Sequence, residues 1–138
     1  MAEEDAPVRV VHMSMTIDRP VPQVHSFLAN VANWPKWAVI NVLSVGPADS
    51  EGWSEIETAQ GRGEIRIYAD ATTGLVDHDF RDGDDIFRVP ARVVANGRGA
   101  EFTMTLLQPG GLADEDFDRE LTLLETELAT LKVLLERS

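Results

Sequence analysis

Asp114–Arg137, DEDFDRELTLLETELATLKVLLER, is the stretch on which the fold turns. Phe117, Leu121, Leu124, Leu128, Leu131 and Leu135 recur in it at alternating steps of four and three, which sets them on one stripe of an α-helix. Asp114 reads as the N-cap. Asp114, Glu115, Asp116 and Asp118 crowd the positive end of the helix dipole, and Lys132 and Arg137 lie toward the negative end, each charge contributing about 0.3–1 kcal/mol. Burial of each stripe residue stabilises by about 1.5–3 kcal/mol, so the stripe outweighs the charges and decides where the helix docks. At 1.5 Å per residue such a helix is about 36 Å long, close to the reach of a ten-residue strand, and it can lie along a curled sheet.

Upstream of it the periodicity changes to strands punctuated by turn residues. The spacing predicts strands over Val39–Val45, Trp53–Thr58, Arg62–Asp70, Leu75–Arg81, Asp85–Ala95 and Gly99–Leu107. Gly46 to Gly52, Gln60-Gly61, Thr72-Thr73-Gly74, Asp82-Gly83-Asp84 and Asn96-Gly97 separate them. Asn96-Gly97 is the strongest turn signal, with both residues expected to accept positive φ in a two-residue hairpin. Earlier still, Val8–Ile17 alternates Val11, Met13, Met15 and Ile17 on one face and reads as the first strand. Pro20 and Pro22 end it, and Pro22 is placed to open a short helix, Gln23–Ala29, with Asn30 as its stop. A second helical turn is expected over Val31–Trp37. The string predicts an α+β domain: a seven-stranded curved antiparallel sheet wrapped around the long C-terminal helix, with two short helices between strands one and two. No repeat or linker marks a second domain, so residues 1–138 read as one domain with a disordered lead-in at residues 1–6.

The run Met15-Thr16-Ile17-Asp18-Arg19-Pro20-Val21-Pro22-Gln23-Val24-His25-Ser26-Phe27-Leu28-Ala29-Asn30, followed by Asn33-Trp34-Pro35-Lys36-Trp37, resembles the opening of the START-like or helix-grip superfamily, also called SRPBCC. The order of elements extends the resemblance over nearly the whole chain, with the polyketide cyclase/dehydrase-like branch as the nearest pattern. It implies a sheet gripping the last helix with an apolar cavity between them. The superfamily holds lipid carriers, ligand-binding plant proteins, polyketide cyclases and dehydrases, and chaperone-activating domains. A shared fold does not choose among these activities.

Composition narrows the choice. Twenty-four acidic residues against twelve Lys and Arg give a net charge of −12, the wrong sign for a nucleic-acid backbone or an anionic lipid surface. The absence of Cys excludes disulfides, thiolate metal sites, Fe–S clusters and cysteine nucleophiles. The opening MAEEDAPVRV is acidic where a secretory signal is basic, and no stretch has membrane-spanning length, so the expectation is a cytoplasmic protein with no membrane partner. No cofactor is implied: there is no GxxxxGK[ST] loop and no GxSxG elbow, and Gly61-Arg62-Gly63 fails as a dinucleotide fingerprint. Metal binding is not expected either, because the three His lack ligand spacing and the Asp77–Asp85 acids lack the pattern of a calcium loop.

Alternation supplies the candidate ligand-binding residues. It places Ile67, His78, Phe80, Phe87, Val89 and Met104 on the inward face, opposite Leu124 of the helix, and Asn41 on the face of Val39, Leu43 and Val45. His78 is also the candidate catalytic residue, since a polar group on an apolar wall must find a partner. The plainer reading is a neutral histidine satisfied by a backbone carbonyl or water. His12 and His25 read as solvated surface residues. Trp34, Trp37 and Trp53 either contact a flat ligand or plug the core. Tyr68, Arg66, Arg88 and Arg92 alternate outward, which argues against a basic and phenolic catalytic cavity.

The leading expectation is therefore binding of a small apolar or aromatic molecule between sheet and helix. An alternative is a cyclase/dehydrase-like enzyme in which His78, with Asn41, acts on a carbonyl-bearing substrate. A protein-interaction domain is a second alternative.

Overall fold

A computed structural model describes residues 6–138, so residues 1–5 of the expected lead-in lie outside the described residues. Strand β1 (Val10–Ile17) leads into helix α1 (Val21–Ala29) and a 3-10 turn (Val31–Lys36). Then follow β2 (Ser44–Ala48), β3 (Ser54–Thr58), β4 (Gly61–Asp70), β5 (Leu75–Asp82), β6 (Asp85–Val89), β7 (Ala91–Asn96), β8 (Gly99–Leu107) and the long helix α2 (Asp114–Arg137). The antiparallel sheet has the order β1-β8-β7-β5-β4-β3-β2, with β6 pairing β5 off this path.

Eight strands replace the expected seven because Asp85–Ala95 is interrupted at Pro90, which has no N–H to give a ladder. The register survives the break: His78 faces Val89 before it and Leu75 faces Arg92 after it. The Asp77 carboxylate takes up the slack by accepting the Ala91 N–H at 2.8 Å. The second strand also begins later than Val39–Val45. Residues 38–43 curl into a turn in which the Val42 N–H donates to the Ala38 carbonyl at 2.8 Å. Val42 is buried there while Val39 and Leu43 are exposed, the reverse of the expected face.

Asn96-Gly97 does turn a hairpin, but Asn96 pairs with Gly99 and only Gly97 has positive φ, at 58°. The loop is Gly97-Arg98, with glycine at its first central position. Gly74 is required for a different reason. Its φ is 81°, and a Cβ there would lie 2.0 Å from the Val93 carbonyl oxygen, where β5 starts against β7.

Helix α2 begins at Asp114 with Ala113 as its N-cap, so Asp114 is the first helical residue and not the cap. The helix runs beside β1 in the same direction. Arg9 reaches Asp118 at 2.6 Å, Lys132 donates to the Thr16 carbonyl at 2.7 Å, and Glu136 accepts the Asp18 N–H at 2.8 Å. Nine residues of strand cover about 30 Å and eighteen of helix about 27 Å, so the two keep pace. Among the described residues no helix is long and apolar enough to cross a membrane.

Candidate functional site

The leucine stripe is not buried evenly. Leu128, Leu131 and Leu135 are packed into the core with Ile17, Leu28 and Phe102, whereas Leu121 and Leu124 are only half-buried. Beside this N-terminal half of α2 lies a cavity of about 600 Å³, bounded by Ile56, His78, Phe80, Val89, Met104 and Leu106 of the sheet.

The hollow has a local cause. Ile65 faces the core, so Gly61 and Gly63 fall on the same inward face, where they border the cavity and supply no side chain. At Gly63 a Cβ would sit 3.1 Å from the Arg81 carbonyl oxygen, so that stretch of wall is kept bare by the crowding of β4 against β5. The gap was readable in the alternation, where Gly61 and Gly63 continue the series Ile65, Ile67.

Asn41, His78, Phe80, Phe87, Val89, Met104 and Leu124 all border this cavity. Ile67 does not; it packs against the core one strand pairing away, opposite His78. Asn41 reaches the cavity from the 38–43 turn, not from a strand, and its amide is already engaged. Asn41 Nδ2 donates to Glu127 Oε1 at 2.7 Å, and the Ile40 and Asn41 N–H groups both donate to Glu127 Oε2 at 2.9 Å. Glu127 is a cavity-wall carboxylate that stripe reasoning passed over, because it stands one position before Leu128 and reads as part of the solvated flank. It is 1% exposed. Burial pushes its carboxyl above the usual range, against the opposing pull of the Asn41 and Ile40 hydrogen bonds.

His78 is 2% exposed and occupies the wall between two rings. Trp34 meets it edge-on at 4.7 Å between centroids, and Phe80 does so at 5.6 Å. His78 Nδ1 lies 3.2 Å from the Val76 carbonyl. A carbonyl only accepts, so Nδ1 carries the proton. Burial lowers the imidazole pKa to about 4, more than Val76, Asp77 and Asp79 raise it, and the ring is neutral near pH 7. With Nδ1 protonated, Nε2 is an acceptor, and among the described residues it has no hydrogen-bond partner.

The tryptophans divide. Trp34 and Trp37 are buried at the cavity wall, 4.8 Å apart between ring centroids. Trp34 Nε1 donates to the Leu28 carbonyl at 2.9 Å, whereas Trp37 Nε1 is buried without an acceptor among the described residues. Trp53 lies on the opposite face of the sheet, stacked between the guanidinium groups of Arg66 at 4.3 Å and Arg81 at 4.0 Å. Asp79, on the outer face, is buried. Arg88 grips it through Nε at 2.7 Å and Nη2 at 2.9 Å, and the Tyr68 hydroxyl donates to it at 3.0 Å. The Arg88 hydrogen bonds hold the Asp79 carboxyl below the usual carboxylate range. Tyr68 is thus spent on structure outside the cavity, and Arg88, which borders the cavity, is tied up by Asp79. His25, expected on the surface, is buried, with Nε2 2.9 Å from the Leu75 carbonyl.

A curled antiparallel sheet over a C-terminal helix, open beside the N-terminal half of that helix, defines the helix-grip or START-like fold, and the chain has it. No family profile matches the sequence, and neither does any curated protein. Solved structures do match. The Aha1 dimer from Colwellia psychrerythraea has a TM-score of 0.74 at 11% identity, covering 93% of this chain and 96% of that one. A START superfamily protein from Mycobacterium smegmatis has a TM-score of 0.71 at 10% identity, covering 93% and 97%. BexL, a di-domain ARO/CYC from the BE-7585A biosynthetic pathway, has a TM-score of 0.68 at 20% identity, covering 90% of this chain and 45% of BexL. At these identities the likeness is one of fold.

Proposed function

We propose that this chain binds a small apolar or aromatic molecule in the cavity between its sheet and α2. The observation that carries the reading is the cavity of about 600 Å³, in the size range of small-molecule sites, where Phe80, Val89, Met104, Leu121 and Leu124 form an apolar wall beside the polar Asn41, His78 and Glu127. Half-burial of Leu121 and Leu124 leaves apolar surface for a ligand to cover, at about 25 cal/mol for each Å² removed from water.

A cyclase/dehydrase-like activity is the second reading, supported by the free Nε2 of His78 and by the fold shared with BexL. The lowered pKa weighs against it, since a base titrating at about 4 draws little driving force for proton abstraction near neutrality. Binding is the better-supported function.

The test is titration with the neutral fluorophore N-phenyl-1-naphthylamine. Saturable fluorescence enhancement is expected, and Leu124→Trp, which pushes an indole into the cavity, weakens it at least tenfold. Unchanged binding by a folded Leu124→Trp protein places the fluorophore elsewhere and overturns the proposal.

A further inference from the structure

We infer that the cavity selects a neutral ring-bearing molecule with a hydroxyl group, whose O–H donates to Nε2 of His78. The inference rests on the cavity being a binding site and adds the polar chemistry of its guest. Val76 fixes the tautomer, because its carbonyl accepts a hydrogen bond from Nδ1–H at 3.2 Å. Trp34 and Phe80 flank the imidazole edge-on, so the ring cannot swing away to another partner without displacing them. What remains is a lone pair flanked by aromatic rings, in a residue 2% exposed, whereas the wall's Asn41 and Glu127 are already engaged with each other. Once an apolar guest has displaced the cavity water, an acceptor left unmatched costs about 1–3 kcal/mol, which a guest hydroxyl relieves and an ether or ketone does not.

Charge narrows the guest further. Glu127, the other ionisable side chain buried at this wall, is an acid. Three arginines border the cavity, Arg62, Arg81 and Arg88, and all alternate onto the outer face, where Arg81 is paired with Glu64, Arg88 with Asp79, and Arg62 is exposed. Among the described residues no cation stands on the inner face, so a carboxylate moving inward past the rim would lose its hydration without gaining an ion pair. The pKa of about 4 agrees, because a neutral imidazole offers an anion nothing.

The experiment compares 2-naphthol, 2-methoxynaphthalene and 2-naphthoate as competitors of N-phenyl-1-naphthylamine, on the wild-type chain and on His78→Phe. The naphthol is expected to bind about tenfold tighter than its methyl ether, and the naphthoate more weakly than the naphthol. In His78→Phe the preference for naphthol over ether disappears, each competitor being referred to the fluorophore affinity measured for that same variant. Should that variant not fold, ¹⁵N spectra of the wild type decide the matter: saturation with 2-naphthol moves the Nε2 resonance of His78 upfield, as acceptance of a hydrogen bond requires. Equal affinity for naphthol and ether, retention of the preference in His78→Phe, or an unmoved Nε2 resonance overturns the hydroxyl inference and leaves the cavity reading standing. Failure of the fluorophore and all three competitors to bind overturns both.

Discussion

Glu127 holds Asn41 twice, through the side-chain amide at 2.7 Å and the backbone N–H at 2.9 Å, and so ties the long helix to the turn that closes one side of the cavity. Helix and turn are otherwise separate walls. The carboxylate makes them one, because the Ile40 N–H shares the same oxygen.

Replacement of Glu127 by Leu is expected to lower stability by roughly 2–3 kcal/mol, read as a lower urea midpoint. Two effects oppose each other here. Removing a desolvated charge stabilises, but three donors lose their acceptor, and the donors are the larger effect. Glu127→Gln keeps one acceptor oxygen and should fall between the two. An unchanged midpoint for Glu127→Leu would show that other contacts hold the turn.

The two halves of α2 should respond differently to truncation. Leu131→Ala empties a fully packed site and is expected to cost about 2–5 kcal/mol. Leu124→Ala enlarges a hollow that already exists, so about 1 kcal/mol or less is lost. Equal losses in thermal or urea unfolding would mean that the cavity collapses in solution.

His78 makes stability depend on pH. Its folded pKa of about 4 lies below the value of 6.5 in the unfolded chain, so below about pH 6.5 the unfolded state binds a proton that the folded state refuses. Stability is therefore lost as pH falls from 6.5 toward 4, by roughly 3 kcal/mol from this group. Glu127, raised by burial, acts in the opposite sense, since its folded form takes up a proton more readily than the unfolded chain. Asp79, lowered by Arg88, adds a loss at still more acid pH. Both cancel when wild type is compared with His78→Phe by urea unfolding at a series of pH values. The difference between the two proteins should shift against the wild type across this window, and a constant difference would contradict the burial of the imidazole.

The legible part of the site was the part written in alternation. His78, Phe80, Val89 and Met104 reach the cavity because a strand turns successive side chains to opposite faces, and the same rule kept Tyr68 out of it. Ile67 obeyed the rule and still missed the cavity, since facing inward does not say which stretch of the interior is already filled. The burial of Asp79 and of His25, the latter expected on the surface, comes from partners on other strands, which alternation does not report: Arg88 and Tyr68 for one, the Leu75 carbonyl for the other.

Local chemistry was sufficient for the docking of α2 and for the elements other than β2, whose expected first half is a turn. Leucines at steps of four and three, Pro22 at a helix start and glycine at the turns act through residues within a few positions of one another, and such short-range preferences can be read along the chain. The break at Pro90 belongs with them and was there to be read. The cavity and its polar fittings depend on long-range meetings: Glu127 with Ile40 and Asn41, and bare Gly63 against the Arg81 backbone. Whether a side chain is solvated or buried is decided by atoms that come near only after the sheet has curled, and that is why Glu127, unremarkable on its helix, became a wall of the site.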